Sequence, residues 1–513
     1  MSATKTKSKI VLFHPHYLSG KYQTNQRQPL DVLSIAGFPE QRGYEIVVID
    51  ASVMKDYQER VIKECKDALC FGTTSIIGFQ AYHSYWMAKE VKKAYPDLPV
   101  VSGGWFPSIE PAMLINQGGA DIVVIRQGEL TFMELLEALQ AGTSLEGIEG
   151  LAYRDGKGNG VRFTPTRKIE DLNKMPPMPY HLIDFQNYFD SDPYNRVKHF
   201  LHVATGKDFS NTKIRALDYF SSFGCPDNCA FCTSPTLLGR KWTALEAGRM
   251  VDEIDHQVKK HHFNVLTFVD ANWGVSEKRV FEFCEGLLKK GIKLYWAASV
   301  EAHIMNKFDP EVVDLMAKSG CFSLLIGAEA AYAATMKDIQ KNIKPGDILK
   351  CCERCTSRGI MPEISYIVGY PGESEESIQT TIEESCEVAY RWPKVEIPIR
   401  IFIPIPSTPL YHRAVELGHQ PVTTMEEWAK YQSYQTEFYV SISRKQLKTV
   451  RRVQRHYFWW GAERLKTGKP LSIFEKVLNK AARLRLKYKL FGFPIEFKIF
   501  HLFNRFRSPR PAA

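Results

Sequence analysis

Short apolar runs alternate with amphipathic stretches along the first part of the chain. The runs read KIVLFHP, YEIVVIDAS, ALCFGTTS, LPVVSGG and ADIVVI, and segments between them such as QERVIKECKDA and YWMAKEVKKAYP space their apolar residues as helices do. This alternation predicts a doubly wound α/β domain of the flavodoxin or Rossmann kind over residues 1–145, with a parallel sheet and helices on both faces.

The ends of these predicted strands carry residues suited to a ligand. In a parallel sheet, ligands bind beyond the carboxyl ends of the strands. The segments there read FHPHYLSG, TTSIIG, SGGWFP and RQGE, and their small residues allow a ligand to approach the backbone closely. Such segments at corresponding positions favour a site for a large ligand over loops that only turn the chain.

A second alternation with larger repeats follows a connector. Residues 146–205 contain turn dipeptides and clustered prolines with little periodicity, which predicts an ordered linker. Six apolar segments then recur between helical stretches, from IRALDYFSS to VEIPIRIFIPIPS. This pattern predicts a partial (β/α)6 barrel over residues 206–420, with its chemistry at the carboxyl ends of the strands. Residues 421–513 form a helical extension that is rich in basic and aromatic residues.

Composition narrows the class of protein. With 513 residues and 44% hydrophobic content, the chain is long and apolar enough to bury large cores. Its eleven cysteines are odd in number and mostly isolated, unlike a secreted disulfide framework. The amino terminus lacks the pattern of a signal peptide, and no apolar run is long enough to span a bilayer. We therefore expect a cytoplasmic protein.

The net charge of +10 is unevenly distributed. Residues 441–513 carry 19 Lys and Arg against 3 Glu, a balance of +16, which leaves −6 for the rest of the chain. The basic character therefore belongs to the tail.

Three cysteines lie within eight positions of one loop, SSFGCPDNCAFCTSP. They are Cys225, Cys229 and Cys232, and the loop follows the first predicted barrel strand. Three thiolates do not complete a structural zinc site, which takes four protein ligands, and no histidine lies nearby in sequence. An iron–sulfur cluster held by three cysteines would keep one iron open to another ligand.

The segment GCPDNCAFC resembles the signature of radical S-adenosylmethionine (SAM) enzymes. The resemblance implies that Cys225, Cys229 and Cys232 hold a 4Fe-4S cluster. In that superfamily the open iron binds SAM, which is cleaved reductively to a 5′-deoxyadenosyl radical. An electron donor such as flavodoxin or ferredoxin is then expected as a partner.

Later segments extend the resemblance. They are FVDANW, AASVEA, IGAEA and GYPGES, which occupy places where relatives contact SAM. The residues implied as SAM contacts are Asp270, Asn272, Ser299, Glu329, Gly369, Pro371 and Gly372. The segment PIPSTPLY also resembles the ending of cobalamin-associated members, with Ser407 where glycine is usual.

The order of the parts resembles the cobalamin-binding radical SAM enzymes, often called class B. The resemblance covers residues 9 to about 420 and implies cobalamin bound to the first domain. The residues implied as cobalamin contacts are Ser102, Gly103, Gly104, Trp105, Gly128 and Glu129. The D-x-H-x-x-G motif is absent, which argues against a histidine ligand to cobalt more than against cobalamin itself.

The sequence also departs from the usual pattern at the predicted cobalamin site. Trp105, Phe106, Arg126 and Gln127 stand where relatives often carry other or smaller residues, and we expect bulky side chains there to narrow the cavity. A degenerate domain that binds nothing is the alternative.

The resemblance implies a methyltransferase acting at an unactivated carbon of an apolar substrate, such as a lipid, a tetrapyrrole or a natural product. One SAM would remethylate cobalamin and a second would yield the radical that removes a substrate hydrogen. A radical SAM cyclase or carbon–carbon coupling enzyme of the same architecture is the alternative. A cobalamin or iron–sulfur sensor without catalysis is a third hypothesis.

Two other groups resemble metal sites superficially. Cys351, Cys352 and Cys355 form CCERC in a helical segment, where we expect thiol packing rather than a second cluster. The histidines of HPHYLSG and HQVKKHH are expected to be solvated or in polar contacts.

Three interpretations of the basic tail stay open. It could bind nucleic acid through phosphates and stacking, rest peripherally on a membrane, or form a helical cap whose aromatics pack on the barrel. In the membrane interpretation, Trp459, Trp460, Phe493 and Phe497 would lie in the acyl region. We expect no nucleic-acid partner, since that interpretation is the least favoured of the three.

Overall fold

The computed structural model describes residues 8–17, 27–154, 160–189, 192–431, 441–462, 472–492 and 494–499. The chain forms two compact units. The first comprises Met1–Arg196, Lys213–Asn272 and Pro404–Phe438, and the second comprises Val197–Thr212, Trp273–Ile403 and Tyr439–Ala513.

The strands, in chain order, are β1 (Lys9–His14), β2 (Glu45–Asp50), β3 (Ala68–Thr74), β4 (Val100–Gly103), β5 (Ile122–Val124), β6 (Leu151–Arg154), β7 (Val161–Phe163), β8 (Ala216–Tyr219), β9 (Ser222–Gly224), β10 (Trp242–Ala244), β11 (Val265–Phe268), β12 (Tyr295–Val300), β13 (Cys321–Glu329), β14 (Met361–Val368) and β15 (Ile399–Ile401).

The α-helices, in chain order, are α1 (Leu30–Gln41), α2 (Tyr57–Cys65), α3 (Phe79–Ala94), α4 (Trp105–Ile109), α5 (Pro111–Asn116), α6 (Glu129–Ala141), α7 (Gln186–Phe189), α8 (Asp192–Thr205), α9 (Thr233–Leu238), α10 (Ala247–His261), α11 (Glu277–Lys289), α12 (Ala302–Met305), α13 (Pro310–Lys318), α14 (Ala333–Asp338), α15 (Asp347–Thr356), α16 (Glu375–Arg391), α17 (Pro409–Glu416), α18 (Met425–Trp428), α19 (Arg444–Arg452), α20 (Trp459–Gly461) and α21 (Ile473–Tyr488).

The first unit contains a seven-stranded sheet in the order β2-β1-β3-β4-β5-β6-β7. Strands β1 to β5 are parallel, and their order is that of flavodoxin-like sheets. The run from Ile10 to Phe13 on the inner strand β1 is fully buried, because helices cover both faces of a doubly wound sheet. The predicted α/β fold class is confirmed for this part of the chain.

Strands β6 and β7 add an antiparallel edge to this sheet. They lie between residues 151 and 163, which the sequence assigns to the connector. The two strands are only four and three residues long, so their periodicity is too short to be recognised from sequence alone.

The first unit also contains the parallel pair β8 and β11 and the antiparallel hairpin of β9 and β10. In the second unit, β12, β13, β14 and β15 pair in parallel in chain order, and a helix follows each of β12, β13 and β14. This is the βα repetition that the sequence predicts for the barrel. Among the described residues, no helix combines the length and apolar character needed to cross a membrane.

The C-terminal helices form a small core within the second unit. A π-helical stretch over Val453–Phe458 joins α19 to α20, and α21 packs against α20 and α16. Trp460 is 7% exposed and Phe497 is fully buried, with its ring stacked on His456 at 5.1 Å between centroids. The hypothesis that these two aromatics reach the acyl region of a membrane is therefore wrong, because they fill this core. Trp459 is exposed, and Phe493 lies outside the described residues.

A buried glutamine completes the hydrogen bonding of β8. The Gln28 side-chain amide donates to the Ala216 carbonyl at 3.1 Å, and its oxygen accepts from the Asp218 amide at 2.6 Å. Gln28 thus pairs with the strand as a neighbouring strand would, just before α1 begins.

We predict that Gln28→Ala lowers the free energy of unfolding by about 2 kcal/mol, because it leaves a buried backbone donor and acceptor unpaired. The thermal midpoint measured by scanning fluorimetry should fall by roughly 3 °C. The matched control is Gln58→Ala, at an exposed position of α2. Equal midpoints for the two variants would show that Gln28 does not support β8.

Candidate active site

The cysteine loop begins directly after β9. Gly224 precedes Cys225 and has φ +86°, and a Cβ there would lie 2.1 Å from the Lys241 carbonyl oxygen, so only glycine fits. At the other end of the loop, the Ser234 amide donates to the Cys232 sulfur at 3.4 Å, at the start of α9. An N–H group aimed at a sulfur favours its thiolate form.

The donor set of the loop fits an iron–sulfur cluster. Cys229 is buried, whereas Cys225 and Cys232 are partly accessible, and the Cys232 amide donates to the Cys229 carbonyl at 3.1 Å. Three soft thiolates on one compact turn are the ligands that such a cluster takes. The assignment of these cysteines as cluster ligands stays a prediction.

Asp270 fixes the segment that leads into the loop. Its buried carboxylate accepts hydrogen bonds from the amide and hydroxyl of Ser221, both at 2.8 Å, and from the amide and hydroxyl of Ser222. Both oxygens of Asp270 are thus engaged by the turn between β8 and β9. The predicted contact of Asp270 with SAM stays a prediction, and the geometry gives this residue a positioning role.

Asn272 lies next to the first cysteine. It is fully buried, and its amide nitrogen is 4.0 Å from the Cys225 sulfur. Its side-chain oxygen has no hydrogen-bond partner among the described residues. A buried acceptor without a partner suits a ligand that carries a donor, which agrees with the predicted SAM contact.

The second unit carries the other predicted SAM residues at strand ends. Ser299 lies near the end of β12, Glu329 ends β13, and Gly369, Pro371 and Gly372 form the turn after β14. In this turn the Gly369 amide donates to the Glu373 carboxylate at 2.6 Å, and both glycines have positive φ. These placements agree with chemistry at the carboxyl ends of barrel strands.

Lys341 is a charged residue that the sequence analysis did not identify. Its side chain is 3% exposed, and its Nζ lies 2.7 Å from the Glu301 carboxylate and 3.3 Å from that of Glu329. Burial and the Glu301 carboxylate raise the pKa of Glu329, while Lys341 opposes the rise. The lysine belongs to no motif and follows Glu329 by twelve residues, so only the fold reveals the contact.

The first unit also contains a cavity of about 330 Å³ beyond the carboxyl ends of β3, β4 and β5. All of the predicted cobalamin contacts line it: Ser102, Gly103, Gly104, Trp105, Gly128 and Glu129. The structure thus brings together residues from two separate segments of the sequence. Their contact with cobalamin stays a prediction.

Polar atoms of the cavity fit a ligand that offers many hydrogen bonds. Among the described residues, the hydroxyls of Ser75 and Ser102, Gln127 Nε2 and Glu129 Oε2 are buried without a partner. Gly104 has φ +95°, and a Cβ there would lie 2.8 Å from the Ser75 carbonyl oxygen, so only glycine fits at this turn of the cavity wall. Buried polar groups without partners are costly unless a ligand satisfies them.

The bulky residues noted in the sequence take different positions. Trp105, Arg126 and Gln127 line the cavity, as expected for residues that narrow it. Phe106 does not line it, because its ring is buried against Trp428 at 5.1 Å between centroids. The expectation was therefore wrong for Phe106.

An apolar part of the cavity lining comes from segments next to the cysteine loop. Phe220 and Phe223 flank the turn held by Asp270, and Val269 precedes that aspartate. Leu237 and Leu238 at the end of α9 complete this part of the lining. Within the first unit, the cavity and the cysteine loop therefore share the same short segments.

His14 and Asp31 form an ion pair at the edge of the cavity, where Asp31 is a lining residue. His14 Nδ1 and the Asp31 carboxylate are 2.9 Å apart. Burial by itself lowers the pKa of His14, but the carboxylates of Asp31 and Asp50 raise it to about 9. The expectation of polar contacts is confirmed for His14.

The other thiol group is structural. Cys351, Cys352 and Cys355 are all fully buried on α15, and burial raises the pKa of Cys352. Neutral buried thiols of this kind are packing groups, as the sequence predicts.

Comparison with known proteins supports both halves of the site. Residues 24–136 match the B12 binding domain family, and residues 219–384 match the Radical SAM superfamily. An uncharacterized methyltransferase of Pyrococcus horikoshii is 27% identical over 354 residues, which cover 68% of this chain and 70% of that protein. The anaerobic magnesium-protoporphyrin IX monomethyl ester cyclase of Rubrivivax gelatinosus is 25% identical over 421 residues, which cover 80% and 70%.

A solved structure has the same fold. It is the radical SAM methyltransferase TsrM of Kitasatospora setae, with cobalamin and a 4Fe-4S cluster bound, at 17% identity. The TM-score is 0.60, and the alignment covers 81% of this chain and 76% of TsrM. By the two family matches, the chain carries a Radical SAM superfamily domain behind an amino-terminal B12-binding domain, as its sequence predicted.

We predict that Asp270→Asn lowers the iron and sulfide bound per chain several-fold. The asparagine NH2 group cannot accept the hydrogen bonds that Ser221 and Ser222 donate to the carboxylate, so the turn before Cys225 is no longer held. The measurement is iron and sulfide content with the visible absorbance of anaerobically purified protein. Asp97→Asn, at an exposed position, is the control. Unchanged cluster content in Asp270→Asn would contradict the positioning role.

We predict a pH-dependent stability from the His14–Asp31 pair. Because the folded pKa of His14, about 9, lies above its ordinary 6.5, the stabilisation is complete below pH 6.5 and is lost as the pH rises through 9. Asp31 is 39% exposed, so water screens the pair, and we expect about 1–2 kcal/mol.

The measurement for this pair is the thermal midpoint of the protein and of His14→Gln from about pH 6 to 10. The two midpoints should differ most at the acidic end and converge at the alkaline end. His16→Gln is the control: burial lowers the pKa of His16, so its effect on the midpoint should not change as the pH rises through 9. A constant difference between the protein and His14→Gln would contradict the ion-pair assignment.

Proposed function

We propose that this chain is a cobalamin-dependent methyltransferase that acts on an unactivated carbon of an apolar small molecule. The observation that carries the proposal is the shared lining of the cavity in the first unit. Loops of the B12-binding domain line it together with Phe220, Phe223 and Val269. Because the turn between Phe220 and Phe223 continues into Cys225, a methyl carrier in the cavity would lie close to the cysteine loop.

The residues of the first unit divide into ligand-holding groups. Cys225, Cys229 and Cys232 would hold a 4Fe-4S cluster, and Asn272 would meet SAM beside it. The cavity loops would hold cobalamin through the hydroxyl of Ser102 and the amide of Gln127, whose buried atoms need partners. When bound, the cluster would supply the electron that cleaves SAM, and cobalamin would carry the methyl group.

The protein's own residues would orient these groups and exclude water. Phe220, Phe223 and Leu237 present an apolar wall that keeps water from a reactive intermediate. Gly103 and Gly104 line the cavity with backbone atoms, which a large flat ligand would contact directly. In the second unit, Lys341 holds Glu301 and Glu329 in place, so that the predicted SAM contact at Glu329 keeps one orientation.

The apolar class of substrate has support from a relative. The cyclase of Rubrivivax gelatinosus acts, by its name, on a magnesium porphyrin ester, which is a largely apolar macrocycle. We propose a substrate of comparable character for this chain, with a reducing protein such as flavodoxin or ferredoxin as the electron donor.

Cyclisation is the second candidate function. It is favoured by the same relative, which aligns with 80% of this chain. Methylation and cyclisation differ in what becomes of SAM, so the first turnover separates them.

We predict the products that reconstituted, cobalamin-loaded protein forms from methyl-deuterated SAM and a chemical reductant. S-adenosylhomocysteine should form, with about one deuterated methyl group per chain retained on cobalamin, and 5′-deoxyadenosine should be released slowly. Cys232→Ala should abolish 5′-deoxyadenosine, and Cys65→Ala, a buried cysteine of α2, should not. In full turnover, methylation would consume two molecules of SAM for each molecule of product.

Other outcomes assign another function. 5′-Deoxyadenosine without S-adenosylhomocysteine would favour the cyclase. Formation of neither product in protein with a full cluster would overturn both candidates.

A further inference from the structure

The described C-terminal residues expose most of the large apolar side chains that reach solvent. Of the fifteen exposed large apolar side chains among the described residues, nine lie between Trp459 and Ile499. Scattered single apolar residues on a surface need no explanation, whereas a contiguous group marks an interaction site.

Helix α21 concentrates this exposure on one face. Ile473, Val477, Leu484 and Tyr488 recur at helical spacing and are 84%, 55%, 46% and 59% exposed. We call these four residues the apolar stripe. The opposite face, with Leu478, Ala482 and Leu486, is buried. The helix is therefore already anchored by its buried face, and the stripe is additional apolar surface.

A row of basic residues runs beside the apolar stripe. Lys476, Lys480 and Lys487 are exposed and recur at intervals of four and seven residues, so they occupy the adjacent face. We call these the basic row. Residues 441–513 carry 19 Lys and Arg against 3 Glu, so the row belongs to a strongly basic part of the sequence. Apolar residues beside a row of positive charges complement a surface that has an apolar interior and a negatively charged outer layer.

Two other occupants fit this surface less well. Nucleic acid would stack on exposed aromatics, but three of the four stripe residues are exposed aliphatic side chains, such as Ile473 at 84%, that give a base nothing to stack on. Trp459, Phe474 and Tyr488 are exposed aromatics of this region, so the test below includes RNA. A second copy of α21 packed stripe to stripe would bring two basic rows together, and like charges at an interface oppose binding.

We propose that α21 is an interfacial helix that docks this protein onto a lipid bilayer containing anionic lipids. The apolar stripe enters the boundary between headgroups and acyl chains, and the basic row lies at the negative headgroups. The 16-residue helix is about 24 Å long and lies in the membrane plane. The inference does not depend on the reaction, although a membrane would also supply the apolar substrate proposed above.

The test is flotation of the full-length protein, with its cluster and cobalamin, on vesicles of phosphatidylcholine with about one third phosphatidylglycerol. We expect binding to these vesicles, weaker binding to phosphatidylcholine alone, and a loss as salt is raised. Val477→Glu with Leu484→Glu should weaken binding at least about tenfold, because both side chains leave the acyl boundary.

The basic row is tested separately. Lys480→Gln should weaken binding to the anionic vesicles about fivefold, with little effect on neutral ones. The matched control is Leu417→Glu, at a position of similar exposure in the first unit, and it should bind as the parent protein does.

Three results would overturn the proposal. The parent protein would fail to float with anionic vesicles, or Leu417→Glu would lose as much vesicle binding as the α21 variants do. The third result is that the α21 variants bind vesicles as well as the parent protein does. Association of the parent protein into a dimer that Val477→Glu with Leu484→Glu dissociates would assign the stripe to a second copy instead. Salt-sensitive RNA binding lost on Lys480→Gln, without vesicle binding, would assign the basic row to nucleic acid.

Discussion

The buried carboxylate of Asp270 is the interaction on which both halves of the first unit's site depend. An ionised group in a buried position is costly unless hydrogen bonds replace its water, and Ser221 and Ser222 supply those bonds. The same turn directs Phe220 and Phe223 to the cavity and leads through Gly224 to Cys225. One hydrogen-bonded turn thus fixes an apolar wall and the first thiol of the loop.

A comparable constraint operates in the second unit. Lys341 is buried between Glu301 and Glu329, and removing it would leave two neighbouring carboxylates without their cation. Glu329 also has φ +62°, a left-handed conformation that a residue with a Cβ adopts only when its surroundings impose it. Strain of this kind concentrates at ligand sites, which agrees with the implied role of Glu329 at SAM.

The sequence could predict those features that follow from local pattern or from topology. Cysteine spacing is local, and the apolar runs define strands whose carboxyl ends must meet at one edge, so Ser102 and Glu129 could be assigned to one cavity. Contacts made by a side chain outside any motif could not be predicted. Lys341 and Gln28 are of this kind, since the tertiary fold alone brings each of them to its hydrogen-bond partner. The same limit led to the wrong expectation for Trp460, because an aromatic residue in a basic segment has the same local pattern whether it is exposed or buried.

The charge distribution of the chain adds a last argument about orientation at a surface. The tail from residue 441 carries +16 and the remaining residues carry −6, so an anionic surface attracts one part and repels the other. Only charges within about 10 Å of the surface contribute strongly at ordinary salt, because screening removes the rest. The field therefore acts mainly through the basic row and its neighbours, and the apolar stripe beside that row determines which face of α21 enters the lipid. Charge would bring the tail to the membrane, and burial of Ile473, Val477 and Leu484 would hold it there.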